Sequence, residues 1–197
     1  TVGGAARIML DGESRQSILY YGPGGKLLGM YHKVFPTDAA IRNGTIPGDG
    51  AQVVETPAGR LGGALCFDLN FDELRNRIVR ARPDLILFCS MYHGGLMQAY
   101  WAYSCRAHFV GACCGLPSAI LAPTGDILAT TTNYFSHVTA TVNLDCAIIH
   151  LDHNWGRIRA MLDKYGPKVK MHDPGLLGAV LISSETSEFT IADLVQE

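Results

Sequence analysis

A short apolar run that stops at a cysteine and gives way to a helical pattern constrains this chain more than any other stretch. Residues 61–65 are apolar and precede Cys66, and apolar side chains then recur every three to five residues from Leu69 to Val79. This pattern predicts a buried strand, a sharp turn and an amphipathic helix. The N–H groups at a helix start carry partial positive charge, which stabilises a thiolate. Cys66 is therefore a candidate nucleophile, although most lone cysteines are inert packing residues.

Composition and charge exclude several classes of protein. The 197 residues suit one domain, and 48% hydrophobic with 17% charged residues is typical of a globular core. The net charge of −2 gives no reason to expect a nucleic acid or an anionic membrane as a partner. No apolar run approaches the roughly 20 residues that span a bilayer. The six cysteines have no paired spacing, which favours a reduced, cytoplasmic setting.

Both ends of the sequence look interrupted. It begins at Thr1 without an initiator methionine, in what resembles the middle of a strand, and it stops at Glu197 inside a continuing pattern. We therefore expect the sequence to be a piece of a longer protein.

Strand and helix patterns alternate along the rest of the chain, and hairpins join several of the strands. Residues 22–25 are typical of a hairpin turn, residues 38–50 of a loop, and residues 148–165 of a charged amphipathic helix. The alternation predicts an α/β domain with layered, mixed sheets rather than one purely parallel sheet. A second helix is predicted at 98–109, and strands are predicted at 17–21, 26–33, 52–55, 61–65, 85–89, 110–114, 118–121, 127–131, 137–144 and 177–182.

Four stretches, in this order and at familiar spacing, resemble the carbon–nitrogen hydrolase, or nitrilase, superfamily. Residues 24–33 resemble the segment that ends in the family's catalytic lysine, and residues 62–68 with Glu73 resemble its nucleophile elbow. Residues 84–90 resemble the strand that follows. Each motif is weak alone, but the ordered set is specific. The segments that resemble the lead into the family's later strands are 106–107, 115–118 and 123–125.

The resemblance implies an architecture. The family folds as an α-β-β-α sandwich with mixed sheets, and two copies associate into a dimer of sandwiches. We therefore expect residues 1–197 to form a single, partial carbon–nitrogen hydrolase domain that assembles into a homodimer or a higher homo-oligomer. The family requires no metal and no organic cofactor.

The resemblance also implies a Glu-Lys-Cys triad. Cys66 would attack the substrate carbon, and Lys33 with the backbone N–H of Phe67 would hold the developing oxyanion. A glutamate would carry the proton from the thiol to the leaving amine. That glutamate is not identifiable, because the 32 residues before Lys33 contain only Asp11 and Glu13, in a loop-like stretch without the family's context.

Substrate signals are fewer. Phe67 and Asp68 follow the cysteine where nitrile-cleaving members usually have Trp-Glu, which favours a small amide or an N-carbamoyl compound. Glu73 would support the lysine or the substrate, or would simply be a charge in the first turn of a helix. Tyr92 and His93 follow the central strand and would read the substrate or only pack their loop.

Three functions remain open from the sequence. The first is an amidase-type or carbamoylase-type hydrolase. The second is an N-acyltransferase, in which an amine replaces water on the same acyl-enzyme. The third is a non-catalytic assembly module that keeps the sandwich but not the chemistry.

Overall fold

The structure is a computed structural model that describes residues 2–196. The chain divides into two compact units, the first reaching Ala140 and the second beginning at Thr141. We describe each unit by itself. The single domain over residues 1–197 stays a prediction.

The first unit contains a three-stranded antiparallel sheet in the order β1-β2-β3. Its strands are β1 (Val2–Leu10), β2 (Glu13–Tyr21) and β3 (Leu27–His32). The turn between β2 and β3 is glycine-rich, as the hairpin prediction required, and Gly24 has a φ of 77° that suits a residue without a Cβ. β3 ends one residue before Lys33, which fixes where that lysine leaves the sheet.

A six-stranded mixed sheet forms the centre of the first unit. β5, β6 and β7 run parallel to one another, and the outer strands pair antiparallel. The strands, in sheet order, are β4 (Val54–Thr56), β5 (Gly59–Leu65), β6 (Leu85–Ser90), β7 (His108–Cys113), β8 (Ala119–Leu121) and β9 (Ile127–Thr130).

Three helices accompany these sheets: α1 (Asp38–Arg42), α2 (Asp72–Ala81) and α3 (Met97–Cys105). α2 buries Leu74 and Ile78, which lie four residues apart on one helix face. Arg82 then adopts a left-handed conformation and Pro83 follows it, so the helix ends there.

Two adjacent glycines in β5 show how the layers stack. A Cβ on Gly62 would meet Pro83 and Ile78 on the helical side, whereas a Cβ on Gly63 would lie 2.7 Å from the Tyr20 hydroxyl and 2.8 Å from Tyr31 Cγ. Successive residues of a strand face opposite sides of a sheet. The six-stranded sheet therefore has α2 on one face and the three-stranded sheet on the other.

The second unit is a smaller layer of helices on an antiparallel sheet. Its sheet has the order β10-β12-β11, and its apolar core is formed by side chains such as Ile158, Val180 and Ile182. The elements are β10 (Cys146–His150), α4 (Trp155–Tyr165), β11 (Val169–His172), β12 (Ala179–Ser184) and α5 (Ile191–Gln196).

The structure corrects several predictions. The stretch predicted as a loop at 38–50 begins with helix α1, which spans residues 38–42. The helix predicted at 98–109 ends at Cys105, because Arg106 takes a left-handed φ of 55° and the chain turns into β7. The strand predicted at 137–144 is wrong, since the structure assigns none of these residues to a strand. The helix predicted at 148–165 begins only at Trp155, and residues 148–150 belong to β10, which pairs with β12.

The architecture confirms the predicted class, a mixed α/β fold with several sheets. Dimer formation stays a prediction. In the part of the chain that the structure describes, no helix is long and apolar enough to cross a membrane.

Candidate active site

Cys66 lies at a strained turn between β5 and α2. Leu65 still has an extended backbone, Cys66 has a φ of +53°, and residues 66–70 then form a 3-10 turn. A residue with a Cβ pays on the order of 1–3 kcal/mol for this conformation, and such strain is concentrated at functional sites. The side chain is half-buried. The turn thus gives the predicted strand, elbow and helix, and it presents a thiol at the end of a central strand.

Lys33 is held in place by its backbone and is buried. Its N–H donates to the Gln16 carbonyl at 2.8 Å, and its carbonyl accepts from the Gly48 N–H at 2.7 Å. Only 3% of the residue is exposed. Burying an ammonium group is costly unless other groups compensate, so a buried lysine at a cavity indicates a chemical role more than a structural one.

The structure brings Lys33 and Cys66 to the same cavity, although they are far apart in the sequence. The cavity has a volume of about 440 Å³, which is large enough for a small molecule. Every residue that lines it belongs to the first unit. The lining residues are Ala5, Ala6, Arg7, Gln16, Lys33, Leu65, Cys66, Cys89, Ser90, Met91, Ala112 and Cys114.

The polar lining of the cavity is neutral or cationic. Lys33 and Arg7 are basic, and none of the described residues that line the cavity is Asp or Glu. The Arg7 guanidinium is fixed at the rim, donating to Ser14 Oγ at 2.6 Å and to the Asn43 carbonyl at 3.2 Å. This lining suits a group that develops negative charge, such as an oxyanion.

Asp68 connects the segment that carries Lys33 to the segment that carries Cys66, and the sequence analysis did not identify it as a site residue. The residue is fully buried. Its carboxylate accepts from the Tyr31 hydroxyl at 2.7 Å, from the Phe35 N–H at 2.7 Å and from the Leu65 N–H at 3.1 Å. Its bond from the N–H of Leu65, three residues earlier, is one half of a capping box, but the sequence signature of that motif has Ser or Thr in the place of Leu65 and so could not have identified Asp68.

The pKa values around the thiol follow from burial. Burial raises the pKa of Asp68, whereas its three hydrogen-bond donors and the nearby Lys33 ammonium oppose the rise. Burial also raises the pKa of Tyr92, and the neighbouring Cys66 raises it further. Tyr92 does not belong to the cavity lining.

The other predicted site residues do not line the cavity. The Phe67 ring is exposed and packs edge-on against Phe71, while its N–H falls in the first turn of the 3-10 segment, where N–H groups lack acceptors in the turn. His93 Nδ1 accepts from the Gly95 N–H at 3.1 Å and so stabilises its own loop. Glu73 is exposed and pairs with Arg77 one helical turn away. Their roles in the site stay predictions.

Among residues 2–196, no three His, Cys, Asp or Glu side chains are grouped closely enough to hold a metal ion.

A family comparison fits this geometry. A family model described as carbon–nitrogen hydrolase matches residues 10–150, which is well over half of the chain. The chain therefore belongs to the carbon–nitrogen hydrolase family.

Two kinds of curated relative are similar to the chain. A hydrolase of Schizosaccharomyces pombe is 25% identical over 166 residues, which is 72% of this chain and 52% of that protein. The deaminated glutathione amidase of Bos taurus is 29% identical over 104 residues, which is 48% of this chain and 32% of that protein. The chain thus spans about half, or less, of the length of these relatives.

Solved structures show the same fold. Nit3 of Saccharomyces cerevisiae, a member of branch 10 of the nitrilase superfamily, matches with a TM-score of 0.57 at 19% identity, over 66% of this chain and 54% of that one. An amidase from Nesterenkonia sp. matches with a TM-score of 0.52 at 20% identity, over 60% of this chain and 51% of that one. At these identities the likeness concerns the fold alone.

Proposed function

We propose that this chain carries the nucleophile and the oxyanion-binding half of a hydrolase that cleaves the C–N bond of a small amide or an N-carbamoyl compound. The observation that carries the proposal is the shared cavity of Cys66 and Lys33. In this role the strained elbow exposes the thiol, and the buried ammonium supplies a fixed positive charge.

A complete hydrolysis can be written with Cys66, Lys33, the Phe67 N–H and one group that carries a proton. The Cys66 thiolate attacks the carbonyl carbon, and the C=O electron pair becomes an oxyanion that Lys33 and the Phe67 N–H stabilise. The intermediate collapses, the C–N bond breaks, and the amine leaves with the proton that came from the thiol. Water then attacks the thioester, releasing a carboxylic acid, or a carbamic acid from an N-carbamoyl compound, and regenerating the thiol.

The proton carrier is the part of the triad that these residues do not supply. None of the described residues in the cavity lining is a carboxylate. The glutamate that the family uses therefore stays a prediction without a position. Loss of a general base costs about 10²- to 10⁴-fold in rate, whereas formation of the covalent adduct also depends on the thiol and the oxyanion site.

The relatives support an amide as the substrate. Several curated relatives are deaminated glutathione amidases. One solved structure of the Nesterenkonia amidase is a complex with butyramide, and another shows Michael addition of acrylamide at the active-site cysteine. For this chain the substrate class remains our proposal, as do the homodimer and the cytoplasmic location.

The proposal is tested by trapping the covalent intermediate. The chain is mixed with a panel of small amides and N-carbamoyl compounds, quenched in acid, and measured by intact mass and by peptide mapping. We expect an acyl adduct on Cys66, none in Cys66→Ala, and an unchanged adduct in Cys114→Ala, because Cys114 lines the same cavity but is not at the elbow.

Three outcomes would contradict the proposal. An adduct spread evenly over the six cysteines would remove the special role of Cys66. Absence of an adduct with every compound of the panel would favour the non-catalytic assembly module. Transfer of the acyl group to an added amine in preference to water would instead identify an N-acyltransferase.

A further inference from the structure

The three groups that donate hydrogen bonds to the Asp68 carboxylate belong to residues that lie next to the two candidate catalytic residues in the sequence. Tyr31 precedes Lys33 by two residues and Phe35 follows it by two, and both donate to the Asp68 carboxylate at 2.7 Å. Leu65 directly precedes Cys66 and donates to the same carboxylate at 3.1 Å. One carboxylate thus anchors the Tyr31 side chain before the lysine, the backbone after the lysine and the backbone immediately before the thiol.

The two oxygens of the Asp68 carboxylate bind different donors. Oδ1 accepts only from the Phe35 N–H, which holds the segment that follows Lys33. Oδ2 accepts from the Tyr31 hydroxyl and from the Leu65 N–H, so it joins β3 to the end of β5. The Phe35 ring also stacks on Phe71 with centroids 3.9 Å apart, which fixes the same two segments from the other end of the turn.

The charge of Asp68 adds to this geometry. Asp68 is fully buried, and burial raises its pKa, whereas the three hydrogen-bond donors and then the Lys33 charge oppose the rise. A buried carboxylate with three donors and a cationic neighbour is satisfied, whereas a neutral residue of the same shape would leave donors without acceptors.

We propose that Asp68 is the positioning residue of this site: its carboxylate anchors the two chain segments that carry Lys33 and Cys66, and so keeps both side chains in reach of one small amide. The inference rests on the proposed function. It assigns Asp68 no contact with substrate, and its effect reaches the reaction through Lys33 and Cys66.

The substitution Asp68→Asn tests the carboxylate without changing its shape. One oxygen becomes an NH₂ group, which then faces either the Phe35 N–H or the Leu65 N–H. The Tyr31 hydroxyl can rotate to accept a hydrogen bond, but a backbone N–H cannot. One of the two backbone attachments must therefore open.

The probe is acrylamide, a small amide that alkylates thiols. In this reaction Cys66 Sγ bonds to the terminal carbon and a proton is added to the neighbouring carbon. Peptide mapping over time and over acrylamide concentration gives a maximal rate, kinact, and a half-saturating concentration, KI, for each cysteine. In Asp68→Asn we expect kinact at Cys66 to fall about 10- to 100-fold, because misplacement of a reacting group by about 1 Å has this effect, while KI changes little.

Two variants accompany the test. Asp72→Asn is the matched control, because Asp72 is an exposed carboxylate of the same segment that pairs with Arg75 and does not line the cavity; it should leave kinact unchanged. Tyr31→Phe removes one donor to Oδ2 and keeps both backbone attachments, so kinact should fall by a smaller factor. The buried Cys105 reports folding, since it stays unlabelled in a folded chain.

The outcomes separate this inference from the proposed function. If Cys105 stays unlabelled in Asp68→Asn and kinact at Cys66 keeps its wild-type value, the positioning role is overturned while the hydrolase proposal stands. If Asp68→Asn does not fold, an unchanged kinact in Tyr31→Phe overturns it instead. If wild-type Cys66 reacts with acrylamide no faster than the exposed Cys114, the proposed function fails and this inference fails with it.

Discussion

Two cavities of similar size, both formed by described residues, differ in the chemistry of the side chains that line them. The cavity of the first unit, of about 440 Å³, is lined by a thiol at a strained elbow and by a buried ammonium. The cavity of the second unit, of about 350 Å³, lies between α4 and α5 and is lined mainly by apolar side chains such as Ile149, Met161 and Leu194. Its lining contains no cysteine, histidine or carboxylate among the described residues.

The difference shows that volume and apolar surface do not identify a reactive site. Both cavities meet the usual size for a small molecule. In the first, a non-glycine residue has a positive φ and a lysine is only 3% exposed, and both features are energetically costly. The second cavity has Arg157 and Lys164 among its lining residues but no nucleophile. The comparison can be tested in both units.

The largest effect should come from the thiol. Replacing Cys66 by Ala should lower the rate of covalent adduct formation with small amides by at least about 10³-fold, since loss of a nucleophile removes the covalent route. The rate is measured by intact mass at fixed amide concentration. Cys114→Ala removes an exposed thiol that also lines this cavity, and it should keep the wild-type rate. Adduct formation that survives in Cys66→Ala would place the chemistry elsewhere.

The lysine should have the next largest effect. Lys33→Met keeps the length of the side chain and removes its charge, so we expect adduct formation at Cys66 to slow about 10²- to 10³-fold, as when one oxyanion donor is removed. Lys26→Met is the control, because Lys26 is an exposed lysine of the same hairpin. Equal effects of the two substitutions would show that bulk charge, not position, determines the rate.

A substitution in the second unit should affect stability and not chemistry. Ile182 is 1% exposed in the core of that unit, so Ile182→Ala should lower the free energy of unfolding by about 2–5 kcal/mol. Denaturant titration measures this loss. In native buffer the labelling rate of Cys66 should stay at its wild-type value, because every lining residue of its cavity precedes Thr141. A slower rate would mean that the two regions are coupled.

The smallest expected effect is a pH dependence at His32, next to Lys33. Burial lowers the pKa of His32, the Arg15 charge lowers it further and Asp49 opposes the change, while the ring is hydrogen-bonded to Ser17 Oγ at 2.7 Å. Because the folded pKa lies below the unfolded value of about 6.5, the unfolded state binds more protons as the pH falls. The free energy of unfolding should therefore be highest above pH 6.5 and decline on acidification. His32→Gln should decline less steeply over this range, and an equal slope would contradict the assignment.

The sequence predicted the elements whose patterns are strong and local. The apolar run before Cys66 and the four-residue spacing of Leu74 and Ile78 indicate a strand, an elbow and a helix, and all three are present. The residues of the β2–β3 hairpin and the parallel strand β6 were predicted for the same reason. Periodicity suffices there because each element buries one continuous set of side chains.

The errors arise where conformation depends on distant partners. Residues 137–144 alternate like a half-buried strand, but alternation forms a strand only where a neighbour pairs with it. The end of α3 depends on the left-handed conformation of Arg106, for which an arginine gives no sequence signal. The sequence analysis used Asp68 only as a signal for the substrate. Its burial and its bond to β3 come from the approach of two sheets, which no local sequence pattern reveals. The role of Lys33 came only from the family resemblance, since a lysine is exposed by default.

The most direct test of the central claim compares two thiols of the same cavity with two reagents. Cys66 and Cys114 both line it, and only Cys66 lies at the elbow beside Lys33. Their labelling rates with acrylamide are divided by their rates with a small neutral disulfide reagent that carries no amide, which removes the difference in exposure. We expect the normalised rate to be at least about tenfold higher at Cys66, and to lose this advantage in Lys33→Met. Equal normalised rates at the two cysteines would contradict an amide-binding site at Cys66 and Lys33.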